Sequence, residues 1–188
     1  EEIFKEGTVY NFETLYNRIR QMAFLNKGIR LTFNWNKEDE HKGTYSFCYE
    51  GGIKEYIKFL NENEARIFED ILYCEGEDSE TSIIVEVALQ YNTSYTEKTY
   101  AFCNNILTPD GGTHLDGFRQ TLARVINAYA KDKNLIKEND EPIRQDDLKE
   151  GLTAIISVKH PDPQYEGQTK GKLGNAEVKP VVNKIFGE

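Results

Sequence analysis

The chain has 188 residues, of which 38% are hydrophobic and 12% aromatic, and its net charge is −9. This length and composition are typical of one folded domain, so we expect residues 1–188 to form a single domain. The acidic total counts against a free-standing nucleic-acid-binding protein, because phosphate contacts need local positive charge. No apolar stretch approaches the roughly 20 residues of a membrane helix, so we expect a cytoplasmic protein with no membrane partner.

The charge is unevenly distributed along the chain. Residues 1–150 carry 28 acidic and 18 basic side chains, whereas residues 151–188 carry 4 acidic and 5 basic ones. If the protein binds an anion, the last quarter of the chain is therefore the expected place. The three cysteines and three histidines are far apart in sequence and lack metal-ligand spacing, so no metal site is assigned.

The first third of the chain predicts two helices around a β-hairpin. Apolar residues recur at helical spacing from Phe12 to Met22, and Gly28 follows where a C-terminal cap would lie. Residues 29–35 and 45–49 alternate between apolar and polar side chains, which is typical of paired strands. Helical spacing returns over residues 53–60.

The middle third predicts a second hairpin followed by a long helix. Residues 67–73 lead into an acidic loop, and clean alternation over residues 83–91 and 95–103 predicts two strands paired with each other. Apolar residues then recur at helical spacing over residues 113–131. Thr113 and Asp116 form a capping pattern at the start of that helix.

The last third predicts a strand, an exposed loop and a final helix. Residues 152–158 form the strand, which two prolines end, and residues 164–175 contain three glycines and little hydrophobicity. Long structureless loops are more often functional than idle. Pro180 lies inside the apolar pattern of the last helix, so that helix is expected to start late or to bend. Mixed hairpins and helices indicate an α+β fold with helices on one face of a sheet.

Two segments could bind an anion. The first, residues 110–114, places two glycines before a helix N-terminus, which is a ready anion site, although a tight turn with a cap is the simpler interpretation. His114 has no partner carboxylate or serine in view and is not a candidate catalytic base. The second, residues 161–172, could aim the Gln168 amide and the Lys170 ammonium at one phosphate, although a solvated loop with two lysines is the simpler interpretation.

Several motifs resemble the transducer domain of the DNA gyrase B family, which comprises ATPase subunits of bacterial type II DNA topoisomerases. They are Asp110-Gly-Gly-Thr-His-Leu-Asp-Gly-Phe-Arg119, the segment from Glu150 to Gln164, Gly167-Gln-Thr-Lys-Gly-Lys-Leu-Gly-Asn175, Tyr49 to Lys54 and Val85 to Tyr91. The B subunit of topoisomerase IV shares the Gly-Gly-Thr-His and Gln-Thr-Lys elements, but the stretch ending at Gln164 is more similar to gyrase.

The resemblance implies a fold and a site. The fold would be that of ribosomal protein S5 domain 2, a mixed sheet with helices packed on one face. The family's Gln-Thr-Lys loop falls on Gln168, Thr169 and Lys170, and it reaches into a neighbouring ATP-binding domain. Gln168 and Lys170 would bind ATP there, with Lys170 as the catalytic residue at the γ-phosphate, and Arg119 would face the cavity through which DNA passes.

The resemblance also implies what the chain is part of. Residues 1–188 would be one transducer domain of a longer B subunit, because nothing in them resembles the family's ATP-binding or Toprim domains. ATP and Mg²⁺ would bind outside this region, so the isolated chain should be inactive. The partners would be DNA, the A subunit of gyrase (gyrase A) and a second copy of the B subunit in an A2B2 heterotetramer. The rival interpretation is a nucleic-acid-binding module of S5-like fold.

Overall fold

The computed structural model describes residues 9–137 and 139–188. The chain divides into two compact units, Glu1–Tyr56 and Ile57–Glu188. The prediction that residues 1–188 act as one domain stays a prediction.

The first unit packs one helix against a two-stranded hairpin. Helix α1 (Phe12–Leu25) begins after Asn11, whose side chain accepts a hydrogen bond of 2.9 Å from the Thr14 amide. Strands β1 (Leu31–Trp35) and β2 (Gly43–Phe47) are antiparallel, as predicted. Rings from the helix and both strands form the core, with Phe12 5.5 Å from Trp35 and Tyr16 5.1 Å from Phe47 between centroids. Helix α2 (Ile53–Leu60) follows, also as predicted, and the boundary between the two units falls within it.

The second unit is built on a mixed five-stranded sheet in the order β3-β4-β7-β5-β6. Its elements are β3 (Leu72–Asp78), β4 (Ile83–Tyr91), β5 (Lys98–Cys103), β6 (Ile106–Leu107), α3 (Thr113–Asp132), a 3₁₀ turn (Asp147–Lys149), β7 (Leu152–Lys159), β8 (Tyr165–Glu166), β9 (Lys172–Leu173) and α4 (Val178–Gly187). Strand β7 is antiparallel to β4 and parallel to β5.

The predicted pairing of residues 83–91 with residues 95–103 is wrong. Strand β7 lies between β4 and β5 and pairs with both of them. Seven of the eight residues of β7 are buried, because the strand carries a nearly continuous apolar run, and such a run is typical of a central strand. The true hairpin partner of β4 is β3, which extends through the predicted acidic loop as far as Asp78. The exposed face of this edge strand tolerates Glu75 and Glu77, whereas the buried Asp78 forms an ion pair of 3.1 Å with Lys184.

The helices α3 and α4 pack on the same face of the sheet, which confirms the predicted α+β arrangement. The core cluster joins inward-facing residues of β4 and β7, such as Val87 and Ile156, to Phe118 of α3 and Val182 of α4. Pro180 lies in the first turn of α4, where a proline costs no helical hydrogen bond, so the helix starts late and accommodates it.

A buried network of polar side chains ties β4 to β7. The side-chain oxygen Oδ1 of Asn61 accepts hydrogen bonds from Thr153 Oγ1 at 2.7 Å and from Asn92 Nδ2 at 3.1 Å. Its amide donates to Gln90 Oε1 at 2.9 Å. All four residues are buried, and each finds partners, which removes the cost of placing amides away from water.

Candidate functional site

The predicted loop over residues 164–175 is a small β-hairpin, which we call the tip hairpin. Strand β8 (Tyr165–Glu166) pairs antiparallel with β9 (Lys172–Leu173), and the Lys170 amide donates to the Gly167 carbonyl at 3.3 Å in the turn. The expectation of a structureless loop is therefore wrong. The sequence did not reveal the hairpin because two-residue strands are too short to show a periodic pattern. Gln168 and Lys170 both lie in the exposed turn.

The tip hairpin is joined to the segment that leads into α3. The Asp110 amide donates to the Gly171 carbonyl at 2.9 Å, and the Leu173 amide donates to the Gly111 carbonyl at 3.1 Å. Gly112 forms a parallel bridge with Leu173. The two segments that the sequence marks separately, residues 110–114 and 161–172, are thus in direct contact.

Gly112 permits this contact. Its φ is +133°, which side-chain-bearing residues rarely adopt, and a Cβ atom there would lie 2.5 Å from the Leu173 amide nitrogen and nearer still to its carbonyl oxygen. Gly112 is also the N-cap of α3, so the prediction that Thr113 caps the helix is wrong. Thr113 is instead the first helical residue, and its buried hydroxyl has no partner among the described residues.

His114 is a buried, neutral side chain rather than an acid–base group. Its Nε2 lies 3.1 Å from Thr108 Oγ1, and that hydroxyl donates to the Ala101 carbonyl at 3.0 Å. The hydroxyl proton is therefore used, and Nε2–H of the imidazole donates to Thr108. Burial lowers the pKa of His114 to about 4.

The two lysines of the tip hairpin differ in their contacts. Lys172 forms an ion pair of 3.1 Å with Glu166, the residue opposite it in the hairpin. Lys170 has a φ of +55°, and its ammonium lies 5.8 Å from the centre of the Tyr165 ring. No ion pair of Lys170 is found within residues 9–137 and 139–188, so its charge is available to an incoming anion.

Asn175, which the sequence did not single out, fastens the other end of the hairpin. Its side-chain oxygen Oδ1 accepts a hydrogen bond of 2.6 Å from the Gln164 backbone amide, and its side-chain Nδ2 donates to Glu177 Oε1 at 2.9 Å. The hydrogen bond from Asn175 holds the pKa of Glu177 below its usual range. An asparagine between a glycine-rich loop and a helix is the one sequence signal that could have marked it.

Arg119 lies on α3, where its Nη2 atom is 2.8 Å from Glu97 Oε1. About a third of the side chain is exposed, and its Nε atom is buried without a partner in the described part of the chain. None of the hydrogen bonds or ion pairs found for Arg119 involves the tip hairpin. Its predicted role toward DNA stays a prediction.

The residues that the structure covers contain neither a cluster of metal ligands nor a membrane-spanning helix. Within residues 9–137 and 139–188, no three His, Cys, Asp or Glu side chains come together as metal ligands. No helix in these two ranges is long and apolar enough to cross a membrane.

The sheet, its helices and the tip hairpin define a region of the ATPase subunit of a type II topoisomerase. The family model described as DNA gyrase B matches residues 52–188. The chain belongs to the DNA gyrase B family.

Individual relatives agree with this assignment. The DNA gyrase B subunit of Staphylococcus aureus (strain MRSA252) is 50% identical over 187 residues, covering 100% of this chain and 29% of the relative. The DNA gyrase B subunit of Staphylococcus epidermidis is 50% identical over 188 residues, again covering 29% of the relative. The chain thus spans less than a third of the length of these relatives.

Solved structures have the same fold. The 43K ATPase domain of Thermus thermophilus gyrase B, solved with an aminocoumarin, has a TM-score of 0.81 and 34% identity, covering 99% of this chain and 48% of that chain. The topoisomerase IV ATP-binding domain of Francisella tularensis has a TM-score of 0.75, covering 100% of this chain and 50% of that chain. At 24% identity this second likeness supports the fold alone.

Proposed function

We propose that the chain is the transducer domain of a gyrase-type DNA topoisomerase and that its tip hairpin detects the γ-phosphate of ATP. In the complete B subunit, Gln168 and Lys170 contact the nucleotide held by the preceding ATP-binding domain. The domain then couples ATP binding and hydrolysis to DNA strand passage and negative supercoiling. Mg²⁺ is bound outside this region, and the isolated chain hydrolyses no ATP.

The observation that carries the proposal is the Lys170 ammonium in the exposed turn of an anchored hairpin, which forms no ion pair with any residue that the structure describes. Hydrogen bonds at Gly171 and Leu173 hold β9, so the turn is displayed on a fixed base. A cation placed in advance where negative charge develops lowers the barrier to phosphoryl transfer, since it needs little rearrangement during the reaction. The same cation distinguishes ATP from ADP, because only ATP has a third phosphate.

The partners of the domain follow from the same proposal. They are DNA, gyrase A, a second copy of the complete B subunit in an A2B2 heterotetramer, and the ATP-binding domain of the same polypeptide, all in the cytoplasm. The names of the relatives favour gyrase over topoisomerase IV. The acidic net charge of −9 disfavours a free-standing nucleic-acid-binding module.

Lys170→Ala in the full-length protein, assembled with gyrase A and DNA, tests the proposal. We expect ATP turnover to fall by on the order of 100-fold or more, because one preorganised electrostatic contact is lost. Binding of a nonhydrolysable ATP analogue should survive, since the ATP-binding domain supplies most of the affinity. Supercoiling should fall with turnover.

Lys172→Ala is the matched control. It removes a lysine from the same hairpin, but one whose charge is already paired with Glu166. We expect turnover to stay within about twofold of wild type, as for most exposed substitutions. Near-normal turnover by a folded Lys170→Ala protein, or equal losses in the two variants, would count against the proposal.

A further inference from the structure

Tyr165 of the tip hairpin contacts both Lys170 and the main sheet. Its ring centre lies 5.8 Å from the Lys170 ammonium, and its hydroxyl donates to the Cys103 carbonyl at 3.1 Å. Cys103 is the last residue of β5 and is fully buried. The tyrosine therefore connects the exposed turn to a rigid strand end.

Both ends of this connection are fixed. Tyr165 pairs across the hairpin with Leu173, which is 1% exposed and belongs to the core beneath α3 and α4. Burial, together with the contact at Cys103, raises the pKa of the Tyr165 hydroxyl. The hydroxyl therefore stays protonated and keeps donating to the strand end at neutral pH. The ring is held in one place on the inner side of the turn.

The Lys170 side chain needs such a support. A lysine ammonium is a point charge on a flexible four-carbon stem, and it loses much rotamer freedom when it is held in one position. Its backbone is fixed by the turn hydrogen bond to Gly167. Among the described residues, however, only the Tyr165 ring is found against its charged end. The face of an aromatic ring carries partial negative charge and attracts a cation.

We propose that Tyr165 is a positioning residue, which orients the Lys170 ammonium toward the γ-phosphate through its ring. The inference rests on the proposed function and names a residue that acts within the same site. The ring attracts the ammonium from one side, and the N–H donors that point away from the ring bind phosphate oxygens. Tyr165 itself does not touch the nucleotide.

Tyr165→Leu in the full-length protein, assembled with gyrase A and DNA, tests the inference. We expect kcat for ATP hydrolysis to fall by about two- to thirtyfold, the range that cation–π contacts span between exposed and desolvated sites. KM for ATP and the affinity for a nonhydrolysable ATP analogue should stay within about twofold, because the ring acts only on the group that meets developing charge. Tyr165→Phe, which keeps the ring, should restore kcat to within about twofold of wild type.

Tyr129→Leu is the matched control. Lys133 lies 5.8 Å from the Tyr129 ring, the same separation as in the Lys170 and Tyr165 pair, but at the C-terminal end of α3. This variant loses a lysine–tyrosine contact away from the hairpin and should keep wild-type kcat. A phenylalanine with a fully fluorinated ring at position 165 keeps the shape of the aromatic side chain but reverses the sign of the partial charge on the ring face. It should therefore behave like Tyr165→Leu, and it keeps the test open if the leucine variant folds poorly.

A double-mutant cycle separates this inference from the proposed function. If Tyr165 acts through Lys170, adding Tyr165→Leu to Lys170→Ala should cause no further loss of turnover. A further loss, or an equal loss in Tyr165→Phe and Tyr165→Leu, overturns the positioning role. If Lys170→Ala removes turnover and Tyr165→Leu leaves kcat unchanged, the inference fails and the proposed function stands. Near-normal turnover by Lys170→Ala overturns the proposed function itself.

Discussion

Gly112 and Leu173 lie backbone against backbone where α3 begins, so the N-cap of the helix and the second strand of the tip hairpin share one contact. The contact leaves no room for a side chain, because a Cβ atom at residue 112 would lie 2.5 Å from the Leu173 amide nitrogen. The backbone of Leu173 cannot move away easily, since its side chain is buried in the core. The tip hairpin and the N-terminus of α3 are therefore held together at this contact.

We predict that Gly112→Ala lowers the free energy of unfolding by at least about 2 kcal/mol, since backbone strain and a steric clash act together. Gly167→Ala is the matched control. Gly167 also has a positive φ, +78°, but nothing lies within 4 Å of its Cβ position. That variant should cost only about 1 kcal/mol, the strain of the backbone conformation. Urea unfolding of the two proteins measures the difference, and equal losses would mean that the contact with Leu173 is not restrictive.

Burial of His114 predicts a pH dependence of stability. Its pKa is lowered to about 4 in the folded protein, whereas an unfolded histidine titrates near 6.5. Between these two values the unfolded chain binds the proton and the folded chain does not, so stability falls as pH falls from 6.5 to 4. The full loss should be about 3 kcal/mol, because each pKa unit corresponds to about 1.4 kcal/mol.

His114→Gln isolates this contribution from those of other groups. Asp78 and Glu177 also have pKa values held below their usual ranges, by hydrogen bonds from Thr81 and Asn175 respectively, and both destabilise the fold at still lower pH. These carboxylates are unchanged in the variant, so the difference between the two proteins reports on His114. Denaturant unfolding at several pH values should show a shallower slope for His114→Gln, and parallel curves would exclude a buried neutral imidazole.

The predicted role of Arg119 toward DNA can be tested with its ion-pair partner Glu97 as the control. If Arg119 faces DNA in the complete enzyme, Arg119→Gln should weaken the stimulation of ATPase activity by DNA and leave intrinsic activity intact. The ion pair with Glu97 is partly exposed, so its own contribution to stability should be about 1 kcal/mol or less.

Glu97→Gln breaks the same ion pair and keeps the arginine. If Arg119 acts on DNA, Glu97→Gln should retain full stimulation of ATPase activity by DNA, because the positive charge of Arg119 is still present. Equal losses of stimulation in both variants would mean that Arg119 serves only the ion pair. Equal losses of stimulated and intrinsic activity in Arg119→Gln would point to misfolding.

Local patterns in the sequence were sufficient to predict the helices and most strands. The long helix α3 and the strand β4 each carry a sustained apolar period, and a pattern of that length identifies the element without knowledge of its neighbours. Strand order was not predictable in this way. Alternation in β4 and β5 shows that both are strands, but β7, which separates them, comes about fifty residues later in the chain. Its nearly continuous apolar run was the available signal for a central position.

The sequence selected the residues proposed for the candidate site, but it did not predict how they are arranged. Gln168 and Lys170 were selected by resemblance, and the structure places both in one exposed turn. The contact between Gly112 and Leu173 joins segments about sixty residues apart through backbone atoms, which leave no trace in a side-chain pattern. The support of Lys170 by Tyr165 depends on the register of the tip hairpin, and two-residue strands are too short to reveal a register.

Gln168→Ala should have a milder effect on ATP turnover than Lys170→Ala. Both side chains lie in the exposed turn, but the amide of Gln168 is a neutral donor, whereas Lys170 carries a full charge. Hydrogen bonds that involve a charged group are about twice as strong as neutral ones, and the difference grows where water is excluded. We expect Gln168→Ala to reduce kcat by roughly tenfold, against on the order of 100-fold for Lys170→Ala. Steady-state ATPase assays of the full-length protein with gyrase A and DNA measure both values. If Gln168→Ala proves as severe as Lys170→Ala while nucleotide binding survives, the shape of the turn rather than the charge of Lys170 would govern hydrolysis. In that case Lys170→Arg, which keeps the charge, would show no more turnover than Lys170→Ala.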